Sequence, residues 1–346
     1  MLYGHGDDLY RYAGQIKVNF SSNIYAKADL SALKKHLASR LDLISNYPEP
    51  QPQELERVIA TRCGIKPDEL MVTNGATEAI YIIARSFKRD DAGRQLSHII
   101  VQPTFSEYAD ACRQADIEPL AENRGVDGRK VHWFCNPNNP TGRVVGHDEM
   151  LNLIDNNKED IFIIDQSYEE YTCHKLISPA EAVVRPNTVL IYSMTKRYCV
   201  PGLRLGYAVA NTDIISRLGC LRQPWSVNAL AIEAGLFMIK SGFEAVPDID
   251  KYLKEARTLR KNLNSISGIT VDDTETNFML CHTKYGSAAE LKEYLAMIHG
   301  LLIRDASNFA GLDNRCFRVA SQSKAENVML VNAVKDWIVS VSKTDF

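Results

Sequence analysis

Between residues 70 and 210 the chain alternates short apolar runs with longer amphipathic or polar stretches. Strand-length runs that alternate with helix-length segments predict crossover connections and a mostly parallel sheet that is covered on both faces. In one connecting segment, apolar residues recur at helical spacing from Ala79 to Phe87, as a helix packed on a sheet requires. Six strands are predicted, over residues 70–73, 98–102, 131–135, 161–164, 189–192 and 205–210.

A second unit is predicted beyond residue 228, where the pattern becomes helical. Residues 229–240 are largely apolar and a charged stretch runs from Asp248 to about 264, so we expect a long helix that leads into a second domain. The elements expected there are strands over 277–281, 301–304 and 316–320, and helices over 288–298 and 325–341. The fold class is therefore α/β, with an N-terminal arm (1–47), a large domain (48–240) and a smaller α+β domain (241–346).

Composition narrows the function classes. The 346 residues carry a formal net charge of −3 and no basic surplus, which argues against a nucleic-acid-binding protein. The eight cysteines form no C-x-x-C pair and the eight histidines have no metal-ligand spacing, so we expect free thiols in a reducing compartment and no metal. No apolar run approaches the ~20 residues of a membrane span, and the first residues do not resemble a signal peptide. A cytoplasmic location without a membrane partner is expected.

The most specific chemistry follows the fifth apolar run. Ser193 and Lys196 lie just beyond the end of this run, and Arg204 opens the sixth. A lysine at a strand end can form a Schiff base, while serine and arginine side chains can hold a phosphate. A lysine in such a position is usually just solvated, so the interpretation depends on what the other strand ends carry.

Two earlier strand ends carry groups that suit the same site. Gly75, Ala76 and Thr77 open a helix, whose free backbone N–H groups and dipole favour an anion. Phe105 follows the next run, where an aromatic ring can stack on a flat cofactor. The alternatives are an ordinary strand-to-helix turn and a core aromatic residue. Both features gain weight because active sites in open parallel sheets lie at the carboxyl ends of the strands.

The next two strand ends carry stronger signals. Asn139 lies in a loop with two X-Pro steps and a glycine, which fix an irregular backbone that can aim its amide. Asp165 follows four large apolar residues, and a carboxylate there needs a partner, unless it is an exposed loop acid. A protonated pyridine nitrogen is an apt partner. Tyr168, three residues further on, can hydrogen-bond the same cofactor oxygen as Asn139.

In order and spacing these residues resemble those of fold-type-I pyridoxal-phosphate (PLP) enzymes, the class I and II aminotransferase family with the aspartate-aminotransferase-like fold. The resemblance implies Lys196 as the Schiff-base lysine and proton shuttle, and Asp165 at the ring nitrogen of PLP. It implies Asn139 and Tyr168 at the phenolic oxygen, with Phe105 stacked on the ring. The residues implied at the PLP phosphate are Gly75, Ala76, Thr77, Ser193 and Arg204.

A finer resemblance, to threonine-phosphate decarboxylases and next to histidinol-phosphate aminotransferases, covers nearly the whole chain. It rests on stretches at 19–23, 47–50, 201–204, 224–228 and 303–311. It implies decarboxylation of O-phospho-L-threonine to the aminopropanol phosphate used in cobalamin biosynthesis. Transamination with a 2-oxo acid acceptor stays open, and a PLP-binding regulator without turnover is a remote alternative.

The same resemblance assigns the substrate site. Arg318 corresponds to the arginine that binds the substrate α-carboxylate, for which bidentate geometry makes arginine apt. A phosphorylated amino acid needs further positive groups, and Arg304 either supplies one or assists Arg318. Tyr47 resembles a tyrosine that reaches the PLP phosphate of the neighbouring subunit, so a homodimer is expected. The substrate-binding candidates are His5, Asn139, Arg143, Arg304 and Arg318.

Overall fold

The computed structural model describes residues 8–12, 14–122, 125, 127–246 and 248–342. Its strands are β1 (Val18–Asn19), β2 (Leu70–Thr73), β3 (Ser97–Ile100), β4 (Lys130–Cys135), β5 (Ile161–Asp165), β6 (Thr188–Ser193), β7 (Gly206–Val209), β8 (Ile269–Val271), β9 (Phe278–Thr283), β10 (Leu301–Leu302), β11 (Arg304–Asp305) and β12 (Cys316–Ala320). Its helices are α1 (Ser31–Ala38), α2 (Gln53–Cys63), α3 (Gly75–Ser86), α4 (Glu107–Gln114), α5 (His147–Asn156), α6 (Pro179–Val183), α7 (Met194–Arg197), α8 (Thr212–Gly219), α9 (Ala229–Lys240), α10 (Ile249–Asn264), α11 (Ala288–Tyr294) and α12 (Lys324–Val341). Among the described residues, no helix has the length and apolar character that a bilayer crossing requires.

A six-stranded sheet with the order β2-β7-β6-β5-β4-β3 forms the centre of the larger part of the molecule. The strands from β3 to β6 run parallel to one another, whereas β7 is antiparallel to both of its neighbours. Each of the six predicted runs contributes a strand to this sheet, so the α/β class and the mostly parallel sheet are confirmed.

Both faces of this sheet are covered by helices, because its inner strands are buried on both sides. All residues of β5 and β6 are buried. On one face, α3, α4 and α8 pack against alternate strand residues such as Ile163. On the other face, α2, α5 and α9 pack against the residues between them, such as Phe162. The carboxyl ends of the parallel strands therefore lie together at one edge of a sheet whose two faces are covered by helices.

A second, antiparallel sheet with the order β11-β12-β9-β8 belongs to the C-terminal part of the chain and packs against α10, α11 and α12. The single strand predicted over 301–304 is wrong. Its first half, β10, pairs with β1, whereas its second half, β11, pairs with β12. Since these partners belong to different sheets, the strand is interrupted between them. β1 and β8 were not predicted, because two or three residues are too short for a periodic signal.

The long helix expected from residue 229 is two helices. α9 ends at Lys240, and Gly242 has a φ of 64°, which favours glycine and breaks the helix. α10 begins at Ile249, where the Asp248 side chain accepts a hydrogen bond from the Lys251 backbone N–H. The domain limits of 1–47, 48–240 and 241–346 stay predictions.

Candidate active site

A cavity of about 420 Å³ lies at the carboxyl ends of the parallel strands. It receives side chains from the ends of both sheets and from the N-terminal segment, as expected for an open α/β sheet. Eleven of the predicted site residues line it: Ala76, Thr77, Phe105, Asn139, Asp165, Tyr168, Ser193, Lys196, Arg204, Arg304 and Arg318.

One end of the cavity is formed where β7 passes the start of α3. Because β7 is antiparallel, its first residues meet the carboxyl ends of the other strands, which brings Arg204 to this edge. A Cβ at Gly206 would lie 2.5 Å from the backbone nitrogen of Ala76, so only glycine permits this approach. At Gly75, a Cβ would lie 2.8 Å from Nη2 of Arg204. Guanidinium and helix N-terminal N–H groups therefore converge where an anion can bind.

A buried carboxylate lies at the end of β5. Asp165 is 3% exposed and accepts hydrogen bonds from the Tyr108 hydroxyl at 2.8 Å and from the Ser167 backbone N–H at 2.9 Å. Burial raises the pKa of Asp165, while the hydrogen bonds from Ser167 and Tyr108 lower it. Within the described ranges no cation pairs with it. Asp165 is thus poised to bind a group that brings its own positive charge.

Lys196 enters the cavity from α7. Its Nζ donates a hydrogen bond to the backbone carbonyl of Ser22 at 2.8 Å, and lies 5.7 Å from the centre of the Tyr168 ring. Burial raises the pKa of the Tyr168 phenol to about 12, so the phenol is protonated and can donate. The amine and the phenol thus lie side by side at the centre of the cavity.

Two buried arginines of the second, antiparallel sheet also line the cavity. Arg304 on β11 and Arg318 on β12 are direct cross-strand partners. Arg318 donates to the side-chain oxygen of Asn139 and to the backbone carbonyl of Ser21, while its Nε is buried and has no hydrogen-bond partner among the described residues. Arg304 donates to the Asn308 side chain at 2.8 Å. Burial lowers the pKa of Arg318 to about 10 and also lowers that of Arg304. In the described part of the chain, neither guanidinium forms an ion pair.

The sequence matches the family described as aminotransferase class I and II over residues 15–334. The chain belongs to the class I and II aminotransferase family. A solved structure of L-threonine-O-3-phosphate decarboxylase from Porphyromonas gingivalis is 38% identical, with a TM-score of 0.86 over 93% of this chain and 99% of that one. A histidinol-phosphate aminotransferase from Caldanaerobacter subterraneus subsp. tengcongensis is 28% identical over 85% of this chain and 84% of its own length.

The cofactor of this aminotransferase family is PLP. A histidinol-phosphate aminotransferase from Sinorhizobium meliloti, solved in complex with pyridoxal-5'-phosphate, shares the fold at 15% identity, with a TM-score of 0.80 over 96% of this chain and 93% of that one. The protein is therefore a PLP-dependent enzyme, either a lyase or an aminotransferase.

The cavity fits PLP on its own chemistry. The glycine-lined anion site suits the phosphate, and the uncompensated Asp165 carboxylate suits a protonated ring nitrogen. Since Arg318 can only donate, its contact identifies the oxygen of the Asn139 amide and leaves the amide nitrogen to donate to a cofactor oxygen. Lys196 supplies an amine between these points.

Three predicted site residues that the structure describes, Gly75, Tyr47 and Arg143, are not among those that line this cavity of the aminotransferase-family fold. Arg143 is exposed and does not line the cavity, because the turn in which it lies directs it to solvent. Tyr47 is 88% exposed and packs against Trp225 at 5.6 Å between ring centres, and its contact with the PLP phosphate of a neighbouring subunit stays a prediction. Gly75 supports the anion site from behind Arg204. His5 lies outside the described residues.

Sequence reasoning missed three contributors. The backbone carbonyls of Ser21 and Ser22 accept hydrogen bonds from Arg318 and Lys196. Carbonyl groups are common to all residues, so no side-chain pattern signals this role. Tyr108, which donates to Asp165, lies one turn after Phe105 on the same segment. Its polar hydroxyl in an otherwise apolar helix face was the available signal.

Proposed function

We propose that this enzyme decarboxylates O-phospho-L-threonine to aminopropanol phosphate, a reaction that would serve cobalamin biosynthesis. The observation that carries the proposal is the pair of buried arginines, which lie side by side without a carboxylate partner in the described ranges. Two buried cations that form no ion pair with a described residue suit a substrate with two acidic groups, and O-phospho-L-threonine has a carboxylate and a phosphate. The decarboxylase from P. gingivalis also shares more sequence identity with this chain, 38%, than the aminotransferases from C. subterraneus, 28%, and S. meliloti, 15%.

Different residues of the cavity would bind different groups of the cofactor. PLP, when bound, supplies an electron sink for the bond that breaks at the substrate α-carbon. Asp165 would hold the proton on the ring nitrogen, and Asn139 and Tyr168 would donate to the phenolic oxygen. Phe105 would stack on the ring. The phosphate would be bound by Ala76, Thr77, Ser193 and Arg204, beside Gly75.

Lys196 and the arginines would act on the substrate. Lys196 would bond covalently to the cofactor in the resting enzyme and move a proton to or from the α-carbon. The way in which the acidic groups are held would determine which bond at the α-carbon is placed to break, and hence the choice between decarboxylation and loss of the α-hydrogen. Arg318 would bind the α-carboxylate, and Arg304 beside it would bind the second acidic group or share the first.

A PLP-dependent aminotransferase is the second candidate function. It is favoured by the similarity to histidinol-phosphate aminotransferases, which covers most of the chain. Histidinol phosphate has a phosphate but no carboxylate, so it would leave one of the two buried guanidinium groups without an anionic partner. Only an acidic acceptor such as a 2-oxo acid would use both arginines in that reaction.

Incubation of the purified, PLP-loaded protein with O-phospho-L-threonine and no oxo acid tests the proposal. We expect many turnovers of CO2 and aminopropanol phosphate, and loss of the lysine-bound cofactor absorption and of activity in Lys196→Ala. Product formation only after histidinol phosphate and 2-oxoglutarate are supplied would instead establish the aminotransferase. Full activity in Lys196→Ala would refute the role of the lysine in either reaction.

A further inference from the structure

A second cluster of polar side chains lies next to the lysine segment, outside the active-site cavity. Lys196 faces the active-site cavity, whereas its neighbour Arg197 lines a separate cavity of about 240 Å³. The same alternation occurs after β5, where Tyr168 faces the active site and Glu169 lines the second cavity. In each segment, one residue thus lines the active-site cavity and the next residue lines the second cavity. The two residues at the second cavity, Glu169 and Arg197, contact each other.

Arg197 bridges two carboxylates of the turn that follows Tyr168. Its Nη1 lies 2.7 Å from Oε1 of Glu169, and its Nη2 lies 2.7 Å from Oε1 of Glu170. The side chains of Arg197 and Glu169 are 25% and 24% exposed, so the pair is partly shielded. A planar guanidinium that contacts two carboxylates restricts both the distance between the two segments and their relative orientation, whereas a single surface ion pair does not.

A hydrogen bond to the backbone also joins the turn after Tyr168 to the lysine segment. The hydroxyl of Tyr171, which is fully buried, donates to the backbone carbonyl of Lys196 at 2.9 Å. The same hydroxyl accepts a hydrogen bond from the Tyr25 backbone N–H at 3.2 Å. The turn from Tyr168 to Tyr171 therefore contacts the lysine segment and also the N-terminal segment whose Ser22 carbonyl accepts from the lysine amine.

These contacts matter because α7 has little stability of its own. It is a four-residue helix, and a single turn is not stable without tertiary contacts. Pairing between β5 and β6 ends at Asp165 and Ile191, and the Gln166 N–H to the Ile191 carbonyl adds one further hydrogen bond. Beyond this point, the side-chain contacts just described join α7 to the Tyr168 turn, while on the side of β7 the Thr195 N–H donates to the Leu205 carbonyl at 3.3 Å.

We propose that Glu169 and Arg197 are positioning residues, whose ion pair holds α7 against the Tyr168 turn and thereby sets the place of the Lys196 amine beside the Tyr168 phenol. The pair acts through its neighbours and does not touch the active-site cavity. The inference rests on the proposed role of Lys196 but not on the identity of the substrate. The other polar groups that line the second cavity are Arg62, Cys63, Tyr192, Tyr198 and Tyr207.

The test compares Glu169→Gln and Arg197→Met in the PLP-loaded protein. We expect kcat to fall about tenfold or more in both variants with KM within about twofold, because a displaced lysine impairs proton transfer while the arginines still hold the substrate. The absorption of the lysine-bound cofactor, titrated against pH, needs no substrate. We expect its midpoint to fall in Glu169→Gln, which leaves an extra positive charge, and to rise in Arg197→Met, which leaves two carboxylates.

A matched control is Arg185→Met, which breaks another two-point arginine contact, with Asp155 at 2.8 and 2.9 Å, away from the cavity. It is expected to change neither kcat nor the titration midpoint. If Glu169→Gln and Arg197→Met bind PLP yet match this control in kcat and in midpoint, the positioning role is wrong. Since Glu169→Gln is nearly isosteric, it keeps the test decisive even if Arg197→Met does not fold. Failure of the unsubstituted protein to decarboxylate O-phospho-L-threonine would refute the proposed function, whereas the titration midpoint, which needs no substrate, would still test the pair.

Discussion

Buried charges beside β2 and buried charges around the cavity differ in their partners. Beside β2, Glu56 and Arg222 form an ion pair at 2.6 Å, and Glu56 also accepts a hydrogen bond from the Val72 backbone N–H at 3.1 Å. Around the cavity, Asp165 and Arg318 have only neutral hydrogen-bond partners in the described part of the chain. The first region is complete without a ligand, whereas the second is not.

The difference shows where a ligand must bring charge. A buried ion with only neutral partners costs free energy of folding, and the cost is offset when a bound group brings the opposite charge. The Asp165 carboxylate favours a cationic ring nitrogen, and the guanidinium groups of Arg304 and Arg318, which form no ion pair within the described ranges, favour acidic groups. Buried charge without a counter-charge is therefore a better indicator of the site than buried charge alone.

The largest expected effect is at Arg318. Arg318→Leu should reduce kcat/KM for O-phospho-L-threonine about 100-fold or more, because the α-carboxylate of this proposed substrate would lose a charged donor. The free energy of unfolding in urea should stay equal or rise, since an uncompensated buried charge is removed. A loss of stability without a change in kcat/KM would show that Arg318 resembles Arg222, and the distinction between the two regions would fail.

The next largest effect is at Glu56. Glu56→Gln should lower the free energy of unfolding by about 3 kcal/mol, because Arg222 is left as a buried cation without a counter-charge. The KM of the folded fraction should be unchanged. Urea unfolding and steady-state kinetics on the same preparation check both statements, and an altered KM with unchanged stability would contradict them.

His98 provides a third case, in which a buried ionisable group is kept neutral. Its Nε2 lies 3.0 Å from the Phe87 carbonyl, and its Nδ1 accepts from Trp133 Nε1 at 3.0 Å. Burial lowers the pKa of His98 to about 4. Because this folded-state pKa lies below the ordinary value, its contribution to stability is complete above about pH 6.5 and is lost as pH falls toward 4.

We therefore expect the free energy of unfolding to fall by about 2 kcal/mol between pH 7 and pH 5 on account of His98. The His98→Gln variant should lack this part of the pH dependence, even if it is less stable throughout. Urea unfolding of both proteins at the two pH values provides the comparison, and parallel losses would exclude His98 as the cause.

The smallest expected effect concerns the anion site at the start of α3. Gly206→Ala should weaken PLP binding by about tenfold, because the new methyl group would displace the backbone of Ala76. Gly202→Ala, in the same connection but with open space around its Cβ position, is the matched control and should bind PLP normally. Equal PLP affinity in the two variants would remove the steric argument for the anion site.

Much of this arrangement could be predicted, because apolar runs and the polar residues that end them are local features of the chain. Lys196, Asp165 and Asn139 were found in this way, and the structure brings them into one cavity. The division of the strand over 301–304 could not be predicted, since it depends on β1 and β12, which are distant in sequence. The exposure of Arg143 also depends on the turn in which it lies.

The pairing of β2 with β7 has a consequence for biosynthesis. β2 is an edge strand whose ladder partner is β7, with Thr73 opposite Gly206, and the four strands between them in sequence occupy the rest of the sheet. A nascent chain leaving the ribosome therefore exposes the apolar face of β2 until residues 206–209 have been translated, and such long-range closure is slow and prone to aggregation. Arg204, which lies beside Gly75 at the anion site, is translated only shortly before, so this site is completed late in synthesis.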